Sequence, residues 1–329
     1  MQDRGSHGSE PAGWRGFRLL LGAGLCLAGP AVHAQDLRLG EISAADTAVG
    51  RALEAPVDTR PLKDKFWWSD DWFDRGLLEV PDNHEVDRRE ISYLNPADKT
   101  EVPALLLRPK TAGRFPAVLF AHGRRGLDEL VERTARRLAA RGFVVLAPDL
   151  YTARMIETMP VRHDPAIVGD LEAGVDALLR LPDVATSKLC LASHTRGGYY
   201  ALMVAVSRGR QKQHVACYVS AYPHWQNPNS AEPDQVYRYA GEADRLEIPT
   251  LIVMGEYEQY QRRRPIEMAV KAMKQAGRDV RLIIYPGVGR GFDFRSGEVR
   301  TFADDLAAKD TVQRAAVFMT RHLTPWLKK

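Results

Sequence analysis

From about residue 84 onward, short apolar runs alternate with amphipathic stretches. HEVDRREISYLNP and EVPALLLRP read as two strands joined at Asn95–Lys99. Phe115–Ala121 (FPAVLFA) and Phe143–Pro148 (FVVLAP) are continuous apolar runs of strand length. Between them Asp128–Arg141 is an amphipathic helix ending at Gly142. Pro165–Leu181 sets Ile167, Leu171, Val175 and Leu178 on one helical face. The alternation continues through strand Leu189–Ala192, helix Gly197–Arg208, strand Val215–Ala221 and strand Pro249–Met254. It closes with helix Pro265–Ala276, strand Val280–Tyr285 and helix Thr311–Leu323. Strands that are apolar throughout and separated by helices predict an α/β domain, with a mostly parallel sheet covered on both faces. No break in composition divides residues 84–329, so a single domain is expected there.

The first 34 residues follow another pattern. Arg15 and Arg18 precede Leu19–Gly29 (LLLGAGLCLAG), an apolar run too short to span a bilayer, and Val32-His33-Ala34 then forms a small-residue cleavage site. This predicts a signal peptide cut before Gln35 and a periplasmic or secreted mature chain. Residues 35–83 read as a weakly periodic lead-in. Its aromatic cluster, Phe66-Trp67-Trp68 and Trp72-Phe73, is expected to pack onto the core rather than hold a ligand.

Composition narrows the function without naming it. The 329 residues are 45% hydrophobic and 27% charged, which excludes a disordered or fibrous chain. Lys and Arg total 46 against 42 Asp and Glu, with no polybasic block, so nothing favours a nucleic-acid partner. Three cysteines exclude a disulfide scaffold and a paired zinc site, and no spacing supports a metal or cofactor. Cys190 and Cys217 are expected as buried free thiols, although export permits a disulfide. No later stretch is of membrane-spanning length, so no membrane partner is expected once the signal is removed. A protein partner is not legible.

Ligands of open parallel sheets bind beyond the carboxyl ends of the strands. One such end, Ser193-His194-Thr195-Arg196-Gly197-Gly198, has the form small-x-nucleophile-x-Gly between a strand and a helix. That is a nucleophile elbow with Thr195 at its apex. A second end, His122-Gly123-Arg124, suits a loop donating an oxyanion-hole N–H.

With these motifs the chain resembles the dienelactone hydrolase family of α/β-hydrolases. The resemblance rests on FPAVLFAHG, GFVVLAPDLY, SHTRGGYYAL, PTLIVMGEYE and above all YPGVGRGFDFRSG, and it covers residues 84–329. It implies a core of about eight strands and an ancestry of ester or lactone hydrolysis. Residue by residue, the family's nucleophile falls on Thr195, its acid on Glu258 and its general base on Arg290. All three depart from the family pattern. A carboxylate survives in Glu258, and Thr195 keeps a hydroxyl. Arg290 is the decisive change, because a guanidinium stays protonated and offers no acceptor lone pair.

Two readings follow. In the first, the chain has lost triad hydrolysis and binds a small molecule as an accessory protein. Arg124, Arg125, Arg196 and Arg290 at the catalytic end favour an anionic ligand. Tyr151, Tyr222 and Trp225 are expected as cleft walls. In the second, an atypical esterase or lactonase uses Thr195 with a substitute base drawn from His194, His122 or His224.

Overall fold

The structure is a computed structural model that describes residues 85–328. The expected signal peptide and the lead-in with its aromatic cluster lie outside the described residues. One sheet of eight strands runs through the rest. Its strands are β1 (Val86–Leu94), β2 (Glu101–Pro109), β3 (Phe115–Ala121), β4 (Val144–Pro148), β5 (Val184–His194), β6 (Val215–Ala221), β7 (Thr250–Tyr257) and β8 (Val280–Gly289). They lie side by side in the order β1-β2-β4-β3-β5-β6-β7-β8. β2 pairs antiparallel with β1 and β4, and the other pairs are parallel. β4 and β6 are buried at every position, so the sheet is covered on both faces.

The helices are α1 (Glu129–Ala140), α2 (Ala166–Leu179), α3 (Gly197–Leu202), α4 (Arg210–Gln213), α5 (Glu232–Tyr237), α6 (Tyr260–Gln275) and α7 (Phe302–Leu323). α1 packs on β2 and β4 and meets α7, while α2 packs on β3 and β5 and meets α3. Local chemistry sets several boundaries. The Asp128 carboxylate accepts from Val131 N at 2.9 Å and caps α1, and the chain leaves that helix through Gly142 in the left-handed region at φ +92°.

Two helices start earlier than periodicity predicts. α6 begins at Tyr260, with Pro265 inside it. Proline has no N–H for the Gln261 carbonyl one turn back, and the buried Gln226 Nε2 donates to that carbonyl instead, at 2.8 Å. α7 begins at Phe302, nine residues before the predicted Thr311, on a capping box between Thr301 and Asp304. Its first turns bury Asp304, Asp305, Lys309 and Asp310, which break the apolar pattern. Tertiary partners accommodate these charges: Arg295 approaches Asp304 to 3.4 Å, Arg300 approaches Asp305 to 3.4 Å, and Tyr285 OH donates to Asp310 at 2.8 Å. The helix predicted over Gly197–Arg208 is α-helical only to Leu202 and continues as one π-helical segment over Met203–Ser207.

Cys190 and Cys217 are register partners on β5 and β6, with Cα atoms 4.7 Å apart, and they form a disulfide in place of the expected free thiols. Pairing of neighbouring strands, invisible in sequence, brings the two sulfurs together.

Candidate active site

Thr195 sits where the sheet predicts, between β5 and α3, with φ +47°. A β-branched residue in this region is strained, so the surrounding contacts must impose the conformation. Thr195 N donates to Ala221 O at 3.2 Å, and Thr195 O accepts from His224 N at 2.6 Å. The glycines of the elbow are there for clearance. A Cβ at Gly197 would collide with the Ala121 carbonyl, and one at Gly198 would lie 2.6 Å from Pro223 Cβ. A Cβ at Gly123 would run into Thr195 Oγ1, so the loop that carries Gly123 packs directly against the Thr195 side chain.

Glu258 and Arg290 are brought together by strand register. β7 and β8 extend further than predicted, to the pair Tyr257↔Gly289, and Glu258 and Arg290 are the residues that directly follow the two strands. Arg290 Nη1 donates to Glu258 Oε1 at 3.0 Å. The Glu258 side chain is fully buried and that of Arg290 is 19% exposed. The Arg290 guanidinium also lies 5.4 Å from the centre of the Tyr222 ring.

Gly123, Arg124, Arg125, Val131, Met159, His194, Thr195, Arg196, His224, Gln259, Arg262, Arg290 and Phe294 line one cleft of about 390 Å³. Its volume is at the small end for a ligand pocket. Four arginines expected to face a ligand have protein partners. Arg124 donates to the carbonyls of Met159 and Pro160, and Arg196 to those of Pro160, Val161 and Arg162. Arg125 pairs with Asp128 and Arg290 with Glu258. The cation that sequence reading missed is Arg262, on the first turn of α6. Among the described residues no carboxylate pairs with it. Its Nη1 donates to the neutral groups His224 Nε2, at 2.8 Å, and Gln235 Oε1, at 2.9 Å. Burial, together with neighbouring Arg290 and Arg196, pulls Arg262 down to about 10. The run Arg262-Arg263-Arg264 at a helix start, where acidic residues are favoured, was the available signal.

The three candidate bases fare differently. His122 is buried with both ring nitrogens bonded: Nε2 accepts from Leu150 N at 3.0 Å, so Nδ1 donates to Gly123 O at 2.8 Å. It is a structural tie. His224 lines the cleft, but arginine can only donate, so its Nε2 is occupied as an acceptor. Burial and then Arg262 hold its pKa well below the ordinary value. His194 points Nε2 at Asp293 Oδ2, 2.9 Å away, where Asp293 also accepts from the Tyr222 hydroxyl. Burial pushes the Asp293 carboxyl up, but the charge and hydrogen bond of His194 and the Tyr222 bond outweigh it and hold it at about 2. Asp293 lies in the GRGFDFR stretch and was not singled out in sequence. Nδ1 of His194, Oγ1 of Thr195 and Oε2 of Glu258 are buried polar atoms with no hydrogen-bond partner.

The predicted aromatic walls are core residues. Tyr151 lies edge-on to His122, Trp225 stacks on Tyr218, and Tyr222 bonds Asp293. Val131, Met159 and Phe294 supply the apolar lining instead.

Sheet order, elbow and cleft together define an α/β-hydrolase. The model of the dienelactone hydrolase family matches residues 102–323, and the chain belongs to that family. It is 41% identical over 66 residues to the "Putative hydrolase fragment YghX" of Escherichia coli strain K12, a match covering 20% of this chain and 56% of that protein. It is 24% identical over 222 residues to a "Putative carboxymethylenebutenolidase" of Synechocystis sp., covering 63% of this chain and 87% of the relative. The chain therefore spans just over half of the first relative and most of the second. The crystal structure titled "Putative Dienelactone Hydrolase" from Klebsiella pneumoniae superposes with a TM-score of 0.55 at 20% identity, over 74% of this chain and all of that one.

Proposed function

We propose that this member of the dienelactone hydrolase family has lost triad hydrolysis and acts as an exported accessory protein that binds a small anionic ligand in the former catalytic cleft. The observation that carries the reading is the ion pair at the acid and base positions. Arg290 replaces the base with a group that cannot accept a proton, and it holds the Glu258 carboxylate at 3.0 Å. Losing a triad base costs about 10⁴–10⁶ in kcat. None of the three candidate histidines is hydrogen-bonded to Thr195 Oγ1. Arg262, held by neutral partners in a cleft crowded with arginines, supports a carboxylate as ligand. Export is supported by the apolar leader in the sequence and by the disulfide between Cys190 and Cys217.

The test is an ester and lactone panel with calorimetric binding of the matching carboxylates. Wild type is expected to show no turnover above background, carboxylates to bind, and R262Q to weaken them at least tenfold. The double variant R290H/T195S, which rebuilds a triad with Glu258, is expected to gain hydrolysis. Wild-type turnover near the usual 1–10³ s⁻¹, abolished by T195A, would refute the reading.

A further inference from the structure

Two arginines at the rim of the cleft spend their N–H groups on the chain itself. Arg124 Nε donates to Pro160 O at 3.0 Å and Nη2 to Met159 O at 2.8 Å. Arg196 Nη1 donates to Pro160 O at 2.9 Å and to Arg162 O at 3.2 Å, and its Nη2 to Val161 O at 3.1 Å. The two guanidiniums thus converge on one oxygen, that of Pro160. Among the described residues neither arginine has a carboxylate partner. Arg196 is only 3% exposed, and its Nε is buried with no hydrogen-bond partner. Arg262, which lines the same cleft within range of its charge, is another cation. A buried charge is ordinarily paired with an opposite one, because removing it from water is costly.

We infer that Arg124 and Arg196 form an oxyanion site for a phosphate or sulfate group, which residues 157–162 hold shut by offering their carbonyls in the anion's place. The inference goes beyond the carboxylate reading at Arg262 and requires neither that reading nor the loss of hydrolysis. The carbonyls of Met159, Pro160 and Val161 present three oxygens, the middle one shared by both guanidiniums. A phosphate or sulfate group carries at least three free oxygens and can replace all of them. A carboxylate has two and leaves part of one guanidinium bare. Hydrogen bonds to an ionised acceptor are about twice as strong as those to a neutral one, so the anion competes well against the carbonyls.

The strap gives way at small cost. Every residue of 157–162 is exposed except the half-buried Pro160, so little apolar surface is lost when the segment lifts. Met155 before it and Met159 within it have φ +52° and +61°, a strained region for residues other than glycine. Besides the arginine side chains, Arg124 O holds Met159 N at 2.7 Å, and Asn229 exchanges two hydrogen bonds with the backbone of His163, at 2.8 and 2.9 Å. Met159 lines the cleft, so lifting the strap also widens it.

The experiment is calorimetry with inorganic phosphate, sulfate and acetate at constant ionic strength, joined to hydrogen exchange read by mass spectrometry. Phosphate and sulfate are expected to bind tenfold or more tighter than acetate, and to speed amide exchange across residues 157–162. R124Q and R196Q are each expected to weaken phosphate and sulfate at least tenfold. R124Q carries the test if R196Q, at the elbow, fails to fold. N229A loosens the strap's anchor without touching either arginine and is expected to tighten phosphate at least threefold. Acetate as tight as phosphate, phosphate binding retained in R124Q, or exchange across 157–162 slowed or unchanged on binding overturns the inference. Absence of phosphate and sulfate binding in both wild type and N229A overturns it too, and carboxylate binding that R262Q weakens would then leave the reading at Arg262 standing.

Discussion

Replacing Arg290 by methionine keeps most of the aliphatic volume and removes the cation. What remains is a Glu258 carboxylate with no side-chain exposure, one oxygen of which accepts from Gln259 N at 2.9 Å while the other has no partner. Breaking a buried pair by removing one partner costs about 3–5 kcal/mol, and the sealed carboxylate puts R290M at about 3 kcal/mol. The converse change, E258Q, leaves the cation of a side chain that is 19% exposed and reaches water, so about 1 kcal/mol is expected. Replacing both by methionine removes the buried charges together and should recover most of the loss. In a domain of this size about 3 kcal/mol corresponds to a fall in Tm of about 6–12 °C. Urea unfolding of wild type, R290M, E258Q and E258M/R290M measures the terms, and thermal scans check the order. R290M within about 0.5 kcal/mol of wild type, or E258Q costing more than R290M, would show that the pair is not the buried clamp described above.

Two further outcomes are expected. G123A should cost about 1–3 kcal/mol by overpacking against Thr195, whereas T195G relieves the strained φ and makes room, so G123A/T195G should lie near T195G alone; additive urea midpoints would refute the contact. Asp293, whose ordinary pKa is 3.8, is held at about 2 in the folded protein. Its contribution of about 2 kcal/mol is therefore full above pH about 4 and fades as pH falls toward 2; D293N should be less stable at pH 6 and lose less between pH 4 and 2, and parallel acid profiles would count against it.

Much of the sheet was legible along the chain. Fully buried parallel strands need apolar side chains on both faces, so β3 and β6 stand out with their observed ends. The elbow was legible for a related reason: backbone clearance there demands glycine at fixed offsets from Thr195. The end of β8 was legible as a motif but not as a strand, because Gly287 and Gly289 mimic a loop. The long start of α7 was hidden because its buried charges are neutralised by residues that are distant or on the opposite side of a turn.

The site divides along the same line. Sequence determined which residue types stand at positions 195, 258 and 290, and the physics of a guanidinium at Arg290 follows from its identity alone. How each cleft arginine is held was decided only by the tertiary structure: Arg125 and Arg290 pair with carboxylates, Arg124 and Arg196 are claimed by backbone carbonyls of residues 159–162, and Arg262 is held by the neutral side chains of His224 and Gln235. The pairing of His194 with Asp293, 99 residues apart in number, was decided the same way. A side chain's chemistry is carried by its own atoms, but whether those atoms are available depends on partners that only the packed chain brings within hydrogen-bond range.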